Sequence, residues 1–413
     1  MKRRTFLQRS SLVSLAPFVP AFLPQAAGAM TAETDDRILV VLQLNGGNDG
    51  LNTVVPFADE HYAKHRPGLK IDTDDVLKLN ESIGLHPQMK PLADLFEASK
   101  LAIVNGVGYP NPNPNRSHFE SMDIWHSARL NESDRTGHGW LGRAVDTQRD
   151  QHTNSTDSDA VFIGDAEIPV ALRGRRANAI SLNSEAELRL FASVGKPAAK
   201  SNNDQGITAF LRRTVDPSYT AAQKFAESAP AAKNGNYPGS DLGKKMELLS
   251  RMIKLGGNTR IFYASQGGYD THYAQRMNHG NLRRDFSRSV AAFQKDMDES
   301  GLAERVTLLA FSEFGRRVAE NGSAGTDHGT ARPVFLAGAK IKPGLHGTYP
   351  SLSDLDDGDL KMTVDFRSIY SALLRNWLQV TDNSVLNGTF APINVIQKPG
   401  FSNFKRSAML FCH

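Results

Sequence analysis

Acidic and imidazole side chains follow the apolar runs of this sequence, in short loops rich in glycine and asparagine. Six of them are candidate metal ligands: Asp49, Asp270, His272, Glu313, Asp327 and His328. Because Asp270 and His272 are two residues apart, both side chains share a face of an extended segment and could reach one ion. Imidazole with carboxylate is an ordinary ligand set for zinc. The spacing therefore predicts a divalent metal site, with a hydrogen-bonded pair of loop residues as the alternative interpretation.

Ser117 and two arginines are candidates for the reaction itself. Ser117 and Glu120 match the pattern in which a serine caps a helix and a glutamate three residues later completes the cap. The same position places the serine oxygen in the positive field of a helix N-terminus, which would favour an anionic ester. Arg116 and Arg316 could hold such an anion through paired hydrogen bonds, although either could instead be a solvated side chain. A structural cap and a nucleophile both remain open for Ser117.

Apolar runs of strand length must position these loops. Buried strands are predicted at residues 38–44, 100–104, 259–264, 306–311 and 333–337, and helices at 86–98, 242–255, 282–297 and 366–378. The alternation predicts an α/β fold, with a mostly parallel central sheet and helices on both of its faces. Ligands of such sheets bind beyond the carboxyl ends of the strands, which is where the candidate residues lie.

The first 29 residues have the composition of an export signal. Arg3 and Arg4 precede an apolar stretch at residues 12–23, and Ala27-Gly28-Ala29 supplies a small-residue cleavage site. The Arg-Arg-x-Phe-Leu pattern resembles the twin-arginine signal, which directs folded proteins to the periplasm or beyond. An accidental arginine pair in a general secretory signal is the alternative. The apolar stretch is too short and too interrupted by proline for a stable membrane span.

The charge balance and the cysteine content limit which partners and which metal ligands can be expected. The chain of 413 residues has 48 basic and 44 acidic side chains, and four of the basic ones lie in the export signal. The remaining 44 and 44 balance, so no nucleic-acid partner is predicted. Cys412 is the one cysteine, which excludes internal disulfides and thiolate clusters. A metal must therefore be held by histidine, aspartate and glutamate.

Residues 30–413 are predicted to form one domain. The pattern of strands and helices is interrupted at about 146–238 by a polar stretch, which we expect to be an insertion that covers the site. A hairpin or strand pair is expected within residues 161–172. No internal repeat divides the chain further.

Five motifs together resemble one bacterial family. GGNDGLN, NPNRSHF, GGYDTH, SEFGRR and TDHGT are typical of the exported family known as domain of unknown function 1501, within the alkaline phosphatase and sulfatase superfamily. The resemblance spans the mature chain and implies an alkaline-phosphatase-like fold. It also implies a nucleophile at Ser117 and metal ligands at Asp49, Asp270, His272 and His328.

The chain departs from the superfamily pattern at one position. The usual Asp-His-Gly after a strand is here Glu313-Phe314-Gly315, and phenylalanine cannot bind a metal. Asp327, beside His328, could compensate for the lost histidine. A harder ion such as Mg²⁺, Mn²⁺ or Ca²⁺ could also replace zinc, at one or two positions per chain.

The resemblance implies metal-assisted hydrolysis of phosphate or sulfate esters, with a small anionic ester as substrate. Two alternatives remain. One is a non-catalytic periplasmic binding or assembly protein that retains the fold, which Phe314 favours. The other is a metal-dependent phosphomutase, because the same site can transfer a group as well as hydrolyse it. The twin-arginine export machinery is the one protein partner that we expect.

Overall fold

The computed structural model describes residues 37–111, 116–135, 137–149, 159–164, 166–184 and 235–397. The predicted export signal and most of the predicted insertion lie outside these residues. In the part of the chain that is described, no helix combines the length and the apolar character needed to cross a membrane.

A nine-stranded sheet forms the centre of the fold, with small sheets beside it. The strands are β1 (Ile38–Leu44), β2 (Val54–Val55), β3 (Leu77–Lys78), β4 (Gly84–Leu85), β5 (Leu101–Gly108), β6 (Ala160–Ile163), β7 (Ala179–Leu182), β8 (Ile261–Gln266), β9 (Val306–Phe311), β10 (Arg332–Gly338), β11 (Gly344–His346), β12 (Leu355–Asp356), β13 (Asp359–Leu360) and β14 (Val364–Asp365). The order in space is β11-β5-β10-β9-β1-β8-β6-β7, and β14 pairs with β5.

Neighbouring strands of this sheet pair in parallel, except at β10. That strand runs antiparallel to both β5 and β9. β1 lies between β8 and β9 and is parallel to each. The carboxyl ends of these three strands therefore meet at one edge, and the predicted mostly parallel sheet is confirmed.

Helices cover both faces of the sheet. They are α1 (Glu60–His65), α2 (Lys90–Glu97), α3 (His118–Ser127), α4 (Trp140–Arg149), α5 (Asp241–Lys254), α6 (Gln275–Glu299), α7 (Phe366–Ala372) and α8 (Asp382–Leu386). Alternate residues of β1 enter different apolar clusters. Leu39 and Val41 pack with residues of α3 and α7, whereas Val40 and Leu42 pack with residues of α5 and α6. This alternation explains why the whole strand is apolar.

Three local expectations differ from the structure. Residues 160–163 and 179–182 form parallel strands that extend the central sheet, where we expected a hairpin or strand pair within residues 161–172 of an insertion. The predicted helix at 366–378 ends as an α-helix at Ala372 and continues as a π-helical turn, Leu373–Leu378. Helix α6 begins at Gln275, seven residues before the apolar repeat that predicted it. Its first turns bury polar side chains, which an apolar pattern cannot reveal.

Candidate metal centre

The loops that follow β1 and β8 touch at the site. Gly46, two residues after β1, has a φ of +115°, and a Cβ at this position would lie 2.3 Å from the backbone nitrogen of Asp270. Because only glycine permits both the conformation and the approach, this residue fixes the spacing of the two loops. Its backbone N–H donates to Glu313 Oε1 at 2.8 Å, which joins the end of β9 to the same point.

Three imidazole rings converge on the carboxylate of Asp270. The Nε2 atom of His272 lies 3.0 Å from Asp270 Oδ1, and that of His328 lies 3.1 Å from the same oxygen. A third ring, that of His118, has its Nε2 atom 3.4 Å away. We call these four residues the imidazole cluster. Their side chains come from three places: the loop after β8, the first residue of α3, and the loop between β9 and β10.

The other nitrogen of each ring is held by an acceptor. Nδ1–H donates to the Glu313 carboxylate in His118 (2.7 Å), to the Arg116 carbonyl in His328 (2.9 Å) and to the Asp327 carboxylate in His272 (3.1 Å). An imidazole that donates from Nδ1 has the lone pair of Nε2 free to bind a metal. Acceptors of this kind commonly orient histidine ligands in metal sites. All three rings therefore direct their Nε2 atoms toward Asp270 Oδ1, and each can offer a lone pair there when Nδ1 carries the proton.

His118, Asp270 and His328 each offer one ligand atom within 4.8 Å of the other two, an arrangement that suits a single divalent ion. The Nε2 atom of His118 is buried and has no hydrogen-bond partner among the described residues. The Nε2 atoms of His272 and His328 are only 3.0 Å apart, so the two nitrogens must share either a proton or a cation. In a tetrahedral zinc site with bonds of about 2.0–2.2 Å, ligand atoms are separated by roughly 3.3–3.5 Å. The separations of the three Nε2 atoms from Asp270 Oδ1, and of His272 Nε2 from His328 Nε2, are 3.0–3.4 Å and are close to that spacing.

Neighbouring groups control the charges of the cluster. Burial opposes ionisation of Asp270, but the hydrogen bond and the positive charge of Arg316 outweigh it and keep the pKa of Asp270 well below its ordinary value. The hydrogen bond to Glu313 raises the pKa of His118 above its ordinary value. Burial lowers the pKa of His328. An ion at this point would meet one carboxylate charge and would compete with a proton for His118.

Glu313 and Asp327 were both predicted as ligands. Each contacts the Nδ1 atom of a histidine, His118 and His272 respectively, on the side of the ring away from Asp270. Glu313 is buried, and its Oε2 atom accepts from the hydroxyl of Ser312. Burial opposes its ionisation, but hydrogen bonds, chiefly from His118, lower the pKa of Glu313. The Asp327 carboxylate accepts from Asn321 as well as from His272. In this structure the two acids orient histidines.

Asp49 lies outside the imidazole cluster, in a buried ion pair. Arg66 donates to both of its carboxylate oxygens, at 2.8 and 3.1 Å, and Gln275 donates to one of them at 2.5 Å. Both Asp49 and Arg66 are fully buried. Burial works against the charge of Asp49, but the guanidinium of Arg66 holds the pKa of this carboxyl far below its ordinary value. The carboxylate is satisfied by protein groups.

The two arginines predicted to hold an anion have protein partners. The buried guanidinium of Arg316 donates to Asp270 and to the carbonyls of Gly46, Gly47, Tyr269 and Thr326. Arg316 therefore binds the loops of the site together. Arg116 donates from Nε to Asp359 at 2.7 Å, and its backbone has a φ of +44°. A non-glycine residue in this conformation is strained, and its carbonyl holds His328.

Ser117 occupies the position before the first residue of α3, as predicted for a cap. Its side chain, however, makes no capping hydrogen bond within the described residues. The capping interpretation is therefore wrong for the hydroxyl, although the position is that of an N-cap. Ser117 lies in the chain between Arg116 and His118, and both of those residues contact the imidazole cluster or hold one of its rings. Its oxygen remains available for chemistry at a helix N-terminus.

Sequence reasoning missed His118. The residue is part of the NPNRSHF motif, in which only Arg116 and Ser117 were interpreted as functional. A histidine next to a candidate nucleophile at a helix start is the signal that could have identified it. Phe314 also belongs to the site, because its ring lies 4.7 Å from the ring centres of both His118 and His328.

Several solved structures resemble this chain at low sequence identity. One is a protein in the alkaline phosphatase superfamily from Vibrio parahaemolyticus, with 10% identity, a TM-score of 0.34, and coverage of 75% of this chain and 62% of that chain. Another is the zinc complex of the periplasmic domain of EptC from Escherichia coli, with 9% identity, a TM-score of 0.38 and 82% of each chain covered. A third is the PsFucS1 sulfatase from Pseudoalteromonas sp., with 11% identity, a TM-score of 0.38, and coverage of 82% and 67%.

Likeness at these identities and scores carries no information about activity. No match is found among curated proteins. The family model described as protein of unknown function (DUF1501) matches residues 36–388, which is most of the chain. The family predicted from the five motifs is confirmed, and this chain belongs to the DUF1501 family of proteins of unknown function.

Proposed function

We propose that the protein is a metal-dependent hydrolase of phosphate or sulfate esters. The observation that carries the proposal is the convergence of three imidazole Nε2 atoms on Asp270, each ring held from its other nitrogen. The imidazole cluster would hold one divalent ion. Nitrogen ligands suit zinc better than Mg²⁺ or Ca²⁺, which prefer oxygen, so zinc replaces the harder ions as our expectation.

The residues around the ion have separate roles in this proposal. When bound, a divalent ion stabilises negative charge on phosphoryl or sulfuryl oxygens. Ser117 would be the nucleophile, because its oxygen lies at the positive end of α3 and its hydroxyl is not used for capping. The helix N-terminus would orient the anionic group of the ester. Glu313 and Asp327 would hold the rings of His118 and His272 in the orientation that binding requires.

A non-catalytic binding protein is the second candidate, and Arg316 favours it. All the hydrogen bonds of this guanidinium go to protein carbonyls and to Asp270, so it is not available to clamp a substrate anion. Phe314 lies where the superfamily has a ligand. A protein that kept one ion and lost turnover would have such a site.

Substitutions of Ser117 distinguish the two candidates. We expect the wild-type protein, loaded with zinc, to hydrolyse aryl phosphate or sulfate esters. Ser117→Ala should remove nearly all turnover while melting temperature and metal content stay unchanged, and Ser117→Thr should keep part of it. Activity that persists in Ser117→Ala would exclude this serine as the nucleophile. No turnover by wild-type protein on any ester would favour the binding protein.

Export by the twin-arginine route is part of the proposal. It rests on Arg3 and Arg4 and on the small residues that end the predicted signal. Changing both arginines to lysine should leave the precursor in the cytoplasm, as measured by immunoblotting of cell fractions. Unchanged export of that variant would show that the general secretory route is used.

A further inference from the structure

A cleft opens beside the imidazole cluster, between the end of β5 and the β12–β13 hairpin. Its volume is about 200 Å³. Apolar side chains supply much of its wall: Tyr109, Pro110, Phe314, Leu360 and Met362.

The cleft is continuous with the candidate metal centre. Three of its lining residues touch or adjoin the imidazole cluster. The Arg116 carbonyl accepts from His328, and Gly329 follows His328 in the chain. The ring of Phe314 packs against two rings of the cluster at 4.7 Å. A group in the cleft would therefore lie next to an anion held at the cluster.

The polar groups of the wall are mostly satisfied by other protein groups. The Tyr109 hydroxyl lies 2.9 Å from that of Ser121, so the two can share a hydrogen bond. Lys361 is paired with Asp354, and the Arg116 guanidinium is paired with Asp359. Asp356, also part of the wall, is exposed and would repel a second anionic group. The wall therefore favours an uncharged, largely apolar occupant.

The volume sets the size of that occupant. A cavity of about 150 Å³ lined by apolar side chains binds benzene. A cleft of about 200 Å³ accommodates one six-membered ring, but two fused rings would extend beyond it.

We infer that this cleft binds the alcohol portion of the ester, and that this portion is an uncharged group with a single ring. The inference rests on the proposed hydrolase function and names its substrate class, the phosphate or sulfate monoesters of cyclic alcohols. Hydrolysis breaks the bond between phosphorus or sulfur and the ester oxygen. Water supplies the hydroxyl that remains on the phosphate or sulfate and the proton that the departing alcohol takes.

Matched esters test the inference. Cyclohexyl and isopropyl phosphate, or the two sulfates, are both secondary alkyl esters, so their leaving groups are similar and only the cyclohexyl ester has a ring. We expect kcat/KM of wild-type protein to be at least tenfold higher for the cyclohexyl ester. Met362→Trp, which fills the cleft, should reduce the preference for the cyclohexyl ester to less than twofold. Met277→Trp is the control, because Met277 is 70% exposed and does not line the cleft.

Binding provides a readout that does not need turnover. Cyclohexylphosphonate should bind the zinc-loaded protein at least tenfold more tightly than isopropylphosphonate in isothermal titration calorimetry. Met362→Trp should remove the difference, with Met362→Phe as the substitute if the tryptophan variant does not fold. Equal Kd values for the two phosphonates, unchanged by either variant, would overturn the inference. Equal hydrolysis of both esters would contradict the inference and leave the proposed function in place. Failure to hydrolyse any ester would contradict the proposed function. The phosphonate Kd values would then test the cleft by themselves.

Discussion

Two neighbouring regions of this molecule contain the same kinds of side chain but satisfy them differently. The imidazole cluster has an aspartate, three histidines and the buried Arg316 against it. Close to it is a second group that we call the buried network, which contains an aspartate, a glutamine, a histidine and two arginines: Asp49, Arg66, Gln275, His279 and Arg283. Residue types alone would assign a metal to either region.

In the buried network, each polar group has a partner within the protein. Arg66 and Gln275 donate to the Asp49 carboxylate, and Arg283 donates to the Asp49 carbonyl at 3.1 Å. His279 lies within hydrogen-bond distance of Thr271 through Nε2 and of Arg283 through Nδ1, at 3.1 Å in each case. A network whose polar groups are all hydrogen-bonded to one another rigidifies the core, and it leaves no atom free to bind a metal.

In the imidazole cluster, the outer nitrogens are held and the inner ones are left to face each other and Asp270. A candidate metal centre is therefore indicated where several ring nitrogens converge on one carboxylate oxygen and each ring is held from its other nitrogen. Substitutions in the two regions should therefore have opposite effects, on metal content in one and on stability in the other.

The largest expected effect is loss of metal from the imidazole cluster. His118→Ala and His328→Ala should each lower bound zinc at least tenfold, because each removes a nitrogen ligand from the same ion. Melting temperature in the presence of a chelator should change little. His346→Ala is the control, since that residue lies on β11 at the far edge of the sheet. Zinc content would be measured by mass spectrometry of dialysed protein, and retention of zinc in both variants would show that these histidines do not hold the ion.

A large loss of stability is expected from the buried network. Arg66→Met leaves the Asp49 carboxylate buried without its cation, which should cost about 3–5 kcal/mol of unfolding free energy. The same measurement on Asp270→Asn should change stability by less than about 1 kcal/mol, because the Asp270 carboxylate is half-exposed. Both would be measured by urea denaturation in a chelator. Equal losses for the two variants would mean that the regions do not differ as proposed.

Acid should lower the free energy of unfolding through protonation of His86, which lies near Arg283 of the buried network. Burial and the nearby Arg283 charge lower the pKa of His86 to about 3, against an ordinary value of 6.5. A histidine with a lowered folded-state pKa contributes its full stability above pH 6.5 and loses it as the pH falls toward 3. The loss is on the order of 4 kcal/mol.

His86→Asn tests this contribution. His86 Nδ1 accepts from the backbone N–H of Gln88 at 3.1 Å, and asparagine can accept the same bond without titrating. Unfolding free energy of wild-type protein should fall more steeply than that of the variant between pH 6.5 and 4. Parallel curves would show that His86 does not contribute to acid sensitivity.

The smallest expected effect comes from the contact that joins the two regions. The side-chain oxygen of Gln275, Oε1, accepts from the hydroxyls of Thr271 and Thr326. These two threonines adjoin the loops of His272 and His328. Thr326→Val removes one of these hydrogen bonds, worth about 1 kcal/mol, while keeping the side-chain volume. Zinc affinity should weaken by a few-fold in calorimetry. A tenfold or greater loss would mean that Gln275 controls the centre far more strongly than one hydrogen bond allows.

Much of the fold could be predicted because buried parallel strands are continuous apolar runs. The bounds of β1 and β9 match the sequence prediction for this reason. Helix α6 was predicted to start too late, since Gln275, His279 and Arg283 are polar yet buried. Apolar periodicity cannot detect residues that are buried through hydrogen bonds.

The candidate site could be predicted only as a set of residues. Asp49 and Asp270 both follow apolar runs, so the sequence pattern assigns both of them the same role. The ion-pair partner of Asp49 is Arg66, 17 residues away, and no sequence motif connects the two. The acceptor of each imidazole Nδ1 depends on long-range packing, such as that of His118 on Glu313. Which nitrogen remains free is thus a tertiary property.

The central claim is that three imidazoles and Asp270 bind one metal ion. X-ray absorption at the zinc edge of the loaded protein tests it most directly, because scattering from imidazole rings can be counted. We predict one zinc per chain with three imidazole ligands and one oxygen ligand, and two imidazoles in His118→Ala loaded at high zinc. A shell made only of oxygen ligands, or an imidazole count unchanged by that substitution, would contradict the account.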